Sequence, residues 1–419
     1  MMDTKYDRQL RELARLAVLR GIALQPGEIV GISAPVSCCD FVRLLEEEAF
    51  LAGAANVFVQ WEDPHLRSQR ILHASQKMIC DAPEWEFAAL EYVAKNGGCL
   101  IQVRSPLFEE NEPQTKERAE LLKMVENRAG SMVMKKKMTF ACPWVVVLLP
   151  NIRWAKKVYP DLPPEKAYET LAETLMDCAR IQETGTIEAW DAHCASLRER
   201  AVQLTEKRIQ KLHYRNSIGT DFTVELAEPY SWSGGAVHLP SGRKIIPNLP
   251  TEELASVPKA DSAQGDLVAT KPFVFGDELI EGMRLHFHKG IVTAYSALSG
   301  AGTLKRMLEM DANGAGRRLG EVALVPYSCR ISQKNVIFFN TILDENASCH
   351  MALGNAYGPD TPGVNKGASF HADFMIGSSD MEITARCADG QDIPVFHKGE
   401  WAFQPSSTDG CKAANKYLP

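Results

Sequence analysis

Long apolar runs are missing from this chain. The longest clean one, Trp144 to Leu149, falls far short of the ~20 residues that a membrane-spanning helix needs. The opening MMDTKYDRQLRELARLAVLRG lacks the basic start and continuous apolar stretch of a secretion signal. Paired cysteines are missing too. There are 11 cysteines and no Cys-x-x-Cys, which argues against a disulfide framework or a cysteine-held zinc and fits reduced thiols in a cytoplasmic protein. Nor is there an excess of basic charge. With 46 Lys and Arg against 53 Asp and Glu, the net charge is −7, which argues against a general nucleic-acid binder, since that must displace counterions with a basic surface, and leaves open only a local basic patch that the total hides. No internal repeat or low-complexity segment is present. What remains is an ordinary globular composition, 45% hydrophobic and 24% charged over 419 residues, enough chain for two domains.

The first half reads as α/β. Tyr6, Leu10, Leu13, Ala14 and Val18 recur at helical spacing. Glu28 to Ile32 reads as a buried strand, Phe41 to Ala52 as a helix, and Asn56 to Trp61 as a strand; that order suggests a parallel crossover unit. Cys99 to Val103 and Trp144 to Leu149 are further buried-strand candidates, Gln114 to Gly130 is a charged helix, and Lys166 to Leu212 is a long helical region broken near Gly185. From His213 onward short β-branched runs alternate with turn signals, Asp389-Gly390 being a hairpin signal. The expectation is an α/β N-terminal domain with a parallel-type sheet, residues 1–212, and a β-rich (α+β) C-terminal domain, residues 213–419. Within the latter, helices are expected over Leu304 to Asp311 and Glu345 to Leu353.

Chemistry-bearing residues gather in the second half. His371 and Asp373 stand at i and i+2, so an extended strand presents them on one face, at the edge of the apolar Phe374-Met375-Ile376. Two readings stand: a metal-ligand pair, or a His–Asp hydrogen bond without metal. Glu321 precedes the apolar Val322 to Val325, and a buried carboxylate needs a compensating partner. Tyr357 lies seven residues past His350, on one face of a continuous helix if Gly354 does not interrupt it. Glu252-Glu253 is either a ligand-bearing turn or the acidic start of a helix. His286 and His288 share a strand face, read as solvent-facing rather than metal-binding. Carboxylates with imidazoles suit Zn²⁺, Co²⁺ or Mn²⁺, and two such ions together polarise a carbonyl and generate hydroxide.

The segments 219–224, 248–253, 317–324, 340–347, 349–354, 356–357 and 371–377, with the tail 389–402, resemble the thermophilic-type metalloaminopeptidases, the M29 family that includes aminopeptidases T and S. The resemblance implies an aminopeptidase acting on short peptides with two divalent metals, Zn, Co or Mn. It also implies a β-rich catalytic domain and a homodimer. By position, the family's metal ligands fall on Glu253, Glu321, His350, Tyr357, His371 and Asp373, with Glu253 preferred to Glu252 because it directly precedes the apolar Leu254. Glu321 is then the candidate bridging ligand and, with Tyr357, a candidate catalytic residue. Arg317 and Arg318 are either orienting groups or a solvated pair, and Glu252 is a weak candidate base. One departure is a short segment from Gly358 to Phe370 without the family's Asn-x-Ser, which bears on specificity. Two other readings compete: a mononuclear Fe(II) ring-cleaving dioxygenase using His350, His371 and Asp373 as its triad, and a dimeric scaffold without turnover. A one-iron triad needs neither Glu253 nor Glu321, and a scaffold would leave the buried charges uncompensated.

Overall fold

The computed structural model describes residues 4–403 apart from 82, 84, 107–112, 277 and 359–360. The chain forms two compact units. One comprises Met1–Trp190 with Ala236–Thr251, the other Asp191–Gly235 with Glu252–Pro419. Residue 212, the expected boundary, lies inside the strand Ile209–Arg215 of the second unit.

The first unit is built on an all-parallel sheet. Its spatial order is Asn248–Leu249, Trp144–Leu148, Cys99–Arg104, Ile29–Pro35, Asn56–Glu62. The crossover read from the sequence is present: strand Ile29–Pro35, helix Cys39–Leu51, then strand Asn56–Glu62. The sequence reading missed the helices Pro64–His73 and Ile152–Val158, although both carried start signals. Asp63 accepts from the His65 and Leu66 amides ahead of Pro64, and Asn151 accepts from the Trp154 amide, which satisfies otherwise orphaned donors. The region 166–212 is not helical throughout. Helices Pro164–Cys178 and Thr186–Glu206 are followed by the strand Ile209–Arg215. There Ile209, Leu212 and Tyr214 are buried while Gln210, Lys211 and Arg215 face outward, a pairing pattern that overrides local helix propensity.

The second unit is β-rich, as expected. An eight-stranded sheet runs in the spatial order Ile291–Ser296, Arg284–His288, Gln264–Val268, Asp221–Glu225, Ile209–Arg215, Glu382–Cys387, Asp392–His397, Glu400–Trp401. A five-stranded sheet runs His371–Met375, His350–Gly354, Leu319–Leu324, Leu254–Ser256, Ser233–Gly234. Both are antiparallel throughout. The expected helix at 304–311 is present as Ala301–Leu308. The expected helix at 345–353 is not. A short helix, Thr341–Glu345, ends before it, and His350–Gly354 is a strand paired on both sides. His350 and Tyr357 therefore do not share a helix face. Leu254, Val322, Leu324, Met351, Leu353 and Phe374 point from one face of this sheet into the core, and each such burial is worth about 1.5–3 kcal/mol. That face leaves the opposite one for chemistry.

Candidate metal centre

Period-two geometry puts the predicted ligands on the face opposite those core residues. Glu321 and Asp373 both pair with Ala352, one from each side. His350 lies two residues before Ala352, and His371 two before Asp373. Ala255 pairs with Ala323, so Glu253, two residues earlier, joins the same face. Three neighbouring strands, and the residue just before a fourth, thus each bring one or two predicted ligands to this face, and the small Ala352 side chain leaves space between the flanking carboxylates. The backbone adapts locally. A bulge separates Leu319 from Glu321, and Gly320 packs so closely on the Gly354–Asn355 backbone that a side chain there would collide with it.

The polar atoms converge. His350 Nε2 lies 3.1 Å from Glu253 Oε2 and 3.7 Å from Glu321 Oε1. His371 Nε2 lies 3.5 Å from Glu321 Oε2 and 3.2 Å from Asp373 Oδ1. Among the described residues, two groups have a metal-binding arrangement, Glu253–Glu321–His350 and Glu321–His371–Asp373, with Glu321 in both. The tautomers follow from the other ring nitrogens. His350 Nδ1 donates to the Ser348 carbonyl at 3.0 Å and His371 Nδ1 to the Asn355 carbonyl at 2.6 Å. Each neutral imidazole then aims a lone pair from Nε2 at carboxylate oxygens. His350 Nε2 and Asp373 Oδ1 are buried and make no hydrogen bond of proper geometry. Lone pairs facing lone pairs repel unless a cation sits among them, and the donor set of three carboxylates and two imidazoles fits a divalent ion such as zinc.

Without a metal, protons take up the compensation. Burial pushes Glu321 up, against the opposing pull of the nearby His350 and His371 imidazoles. Burial, then the charges of Asp373 and Glu253, raise Glu345 well above the carboxylate range. Burial alone would raise Asp373, but the charge of the adjacent His371 outweighs it and holds it low. Burial opposes protonation of both histidines. Glu253 and Glu321 nevertheless raise His350, and Asp373 and Glu321 raise His371 to about 9. Tyr357 is 39% exposed and packs its ring edge-on against His371, with centroids 4.4 Å apart. Desolvation, then the charges of Asp373, Glu321 and Glu345, push its ionisation up, so the phenol keeps its proton.

The two acids of the turn part company: Glu253 joins a group of residues that could hold an ion, and Glu252 turns elsewhere. Residues 252–253 are extended rather than helical, ahead of strand Leu254–Ser256. Glu252 is buried, with its carboxylate 3.8 Å from His193 Nε2 and its amide donating to Asn346 Oδ1 at 2.6 Å. Arg318 donates to the Ala260 carbonyl, and Arg317 to the Val292 carbonyl and Glu309; neither orients the ligand carboxylates. His286 is bonded to Asp266 at 2.8 Å near the surface, as a solvent-facing histidine. The sequence reading missed Glu345, which sits at the end of its short helix beside the ligands; only its place in Asp344-Glu345-Asn346 hinted at it. In the short segment, Pro359 and Asp360 lie outside the described residues. Downstream of them, Asn365 is buried and donates to the Ala315 and Gly354 carbonyls, and Lys366 caps those of Ala356 and Gly358.

Known proteins share this framework. Aminopeptidase 2 of Geobacillus stearothermophilus is 35% identical over 96% of this chain and 99% of its own length. Aminopeptidase T of Thermus thermophilus is 34% identical over 94% of this chain and 99% of its own length. The solved structure of wild-type AmpT from Thermus thermophilus superposes with a TM-score of 0.87 at 33% identity, covering 95% of this chain and all of that one. The family model described as thermophilic metalloprotease (M29) matches residues 6–401, so the chain belongs to that family and is a metal-dependent hydrolase of peptide bonds.

Proposed function

We propose that this metallopeptidase is an aminopeptidase that releases the N-terminal residue of short peptides with two divalent ions, Zn, Co or Mn. Glu253, Glu321 and His350 would hold one ion and Glu321, His371 and Asp373 the other, with Glu321 shared. The observation that carries this reading is the membership of Glu321 in both ligand groups. A His350–His371–Asp373 iron triad would use neither Glu253 nor Glu321. Divalent ions in such a site polarise the scissile carbonyl and make water a nucleophile at neutral pH.

The chain's own residues supply the rest. Glu345, beside Asp373, is the candidate base: its carboxylate takes a proton from the attacking water and returns it to the leaving amine. Glu252, turned to His193 and Asn346, is a positioning residue instead. The protonated Tyr357 hydroxyl donates to the oxygen that gains charge in the transition state, or joins the ligand set. Free thiols at every described cysteine support a cytoplasmic location, and the family resemblance supports a homodimer, checked by light scattering in solution. The central test is chelation. EDTA abolishes hydrolysis of a residue–p-nitroanilide, Zn²⁺, Co²⁺ or Mn²⁺ restores it, and metal analysis finds about two ions per chain. Full activity in metal-free protein refutes the reading, and a single tightly held iron with O₂ consumption on a hydroxypyridine replaces it with the dioxygenase.

A further inference from the structure

The parallel sheet of the first unit is unusual on one face. Sheets of this kind carry helices on both faces and read as apolar. Here Ser33 pairs with Gln60 on one neighbouring strand and with Gln102 on the other, so three polar side chains stand in a row across adjacent strands. The helix Ser131–Met138 faces the same space. Val133, Met134 and Lys137 of this helix, with Gly130 just before it, line that space, so a lysine stands beside apolar residues there.

Between these elements lies a cavity of about 180 Å³ lined by Gln60, Glu62, Gln102 and Lys137 on its polar side and by Phe87, Leu90, Val133 and Met134 on its apolar side. Lys137 Nζ donates to Gln102 Oε1 at 3.1 Å and lies 4.6 Å from the centre of the Trp144 ring. Among the described residues no carboxylate pairs with it. Burial, with the Arg104 charge, lowers its ammonium to about 8. Gln60 Oε1 is buried with no hydrogen-bond partner. Glu62 accepts from the Ser33 hydroxyl at 2.6 Å. A largely buried cation without a counter-charge and an acceptor without a donor both cost stability. One ligand can relieve both if it carries an anionic group, an N–H donor and an apolar body.

We propose that this cavity binds a free α-amino acid with an apolar side chain, its carboxylate on Lys137, its ammonium on Gln60 Oε1 beside Glu62, and its side chain against Phe87, Leu90, Val133 and Met134. The volume suffices, since about 150 Å³ holds a benzene ring. The occupant belongs to the class that the chain's own reaction releases. That link rests on the aminopeptidase reading, but the binding does not. The proposed site is thus built from residues other than the candidate metal ligands.

The test is calorimetric titration of L-leucine into the EDTA-treated full chain. One saturable site is expected, with at least tenfold weaker binding for Lys137→Met and weaker binding for Gln60→Leu. The amine-free analogue 4-methylpentanoate and the carboxylate-free analogue 3-methylbutylamine each lose at least tenfold. Glu253→Ala binds leucine as the parent does. Absence of heat and of any thermal shift at tens of millimolar leucine overturns the proposal. So does binding that Lys137→Met leaves intact, or binding that Glu253→Ala removes, which would place leucine at the metal centre. If circular dichroism shows Lys137→Met unfolded, Gln60→Leu and the two analogues decide. Failure of the aminopeptidase reading shows separately, as a metal-loaded enzyme that releases no leucine from leucine p-nitroanilide.

Discussion

Replacing Glu321 with Gln keeps the shape of the side chain and removes one negative charge from the middle of the ligand set. Its two oxygens lie 3.7 Å from His350 Nε2 and 3.5 Å from His371 Nε2, so its charge serves both ligand groups. At about 4 Å and an effective dielectric of about 20, a pair of unit charges is worth about 4 kcal/mol, which is about 10³ in affinity. The amide oxygen keeps some ligating capacity, so a loss of about 10²–10³-fold for at least one ion is expected, with activity falling in step. The same substitution has the opposite effect on the metal-free fold. Burial disfavours the ionised Glu321, so Glu321→Gln, once chelated, should melt at or above the temperature of the chelated parent. Metal analysis, p-nitroanilide hydrolysis and thermal melts with and without EDTA read all three quantities. Unchanged metal content with parental activity removes Glu321 from the site. A metal-free variant that melts well below its parent refutes the electrostatic argument and makes Glu321 a structural residue.

Glu253→Ala should lower bound metal from about two ions towards one and collapse hydrolysis, whereas Glu252→Ala should keep its metal and lose about 1–3 kcal/mol of stability by removing a buried carboxylate beside His193; metal analysis beside denaturant melts separates them, and the reverse pattern shifts the ligand register by one residue. In metal-free protein His371 titrates at about 9, above the ~6.5 of an unfolded histidine. Its contribution to stability is therefore full below about pH 6.5 and lost as pH rises through 9, while metal affinity rises over the same window because the proton and the ion compete for Nε2. Melts and metal titrations from pH 6 to 10 check both slopes, and a flat metal affinity contradicts the assignment of Nε2 as ligand atom.

The parts legible in the sequence were those where period and chemistry coincide. His371 and Asp373 alternate with buried Ala372 and Phe374, so the strand and the face that carries its candidate ligands were readable together. Glu321 announced itself as a charge opening an apolar run. His350–Gly354 misled because a stretch of Cys, Met, Ala and Leu suits either conformation, and only the two neighbouring strands decide between them. Glu345 stayed hidden because what marks it is the approach of Asp373, 28 residues on in sequence. The polar row of Ser33, Gln60 and Gln102 was equally silent. Lateral register across a parallel sheet leaves no local spacing to read.

Both candidate metal-binding imidazoles are steered by main-chain carbonyls, those of Ser348 and Asn355, rather than by side chains. Substitution at 348 or 355 changes the side chain and leaves the accepting oxygen in place, so control of the ring nitrogens does not depend on the side chains there. The fragility moves to the path of the backbone. Gly354 sits at φ 100°, opposite His371, where a Cβ would run into the Phe370 carbonyl. Mutational tolerance around this centre is thus distributed by backbone geometry, and a residue with no functional group of its own is among the least replaceable.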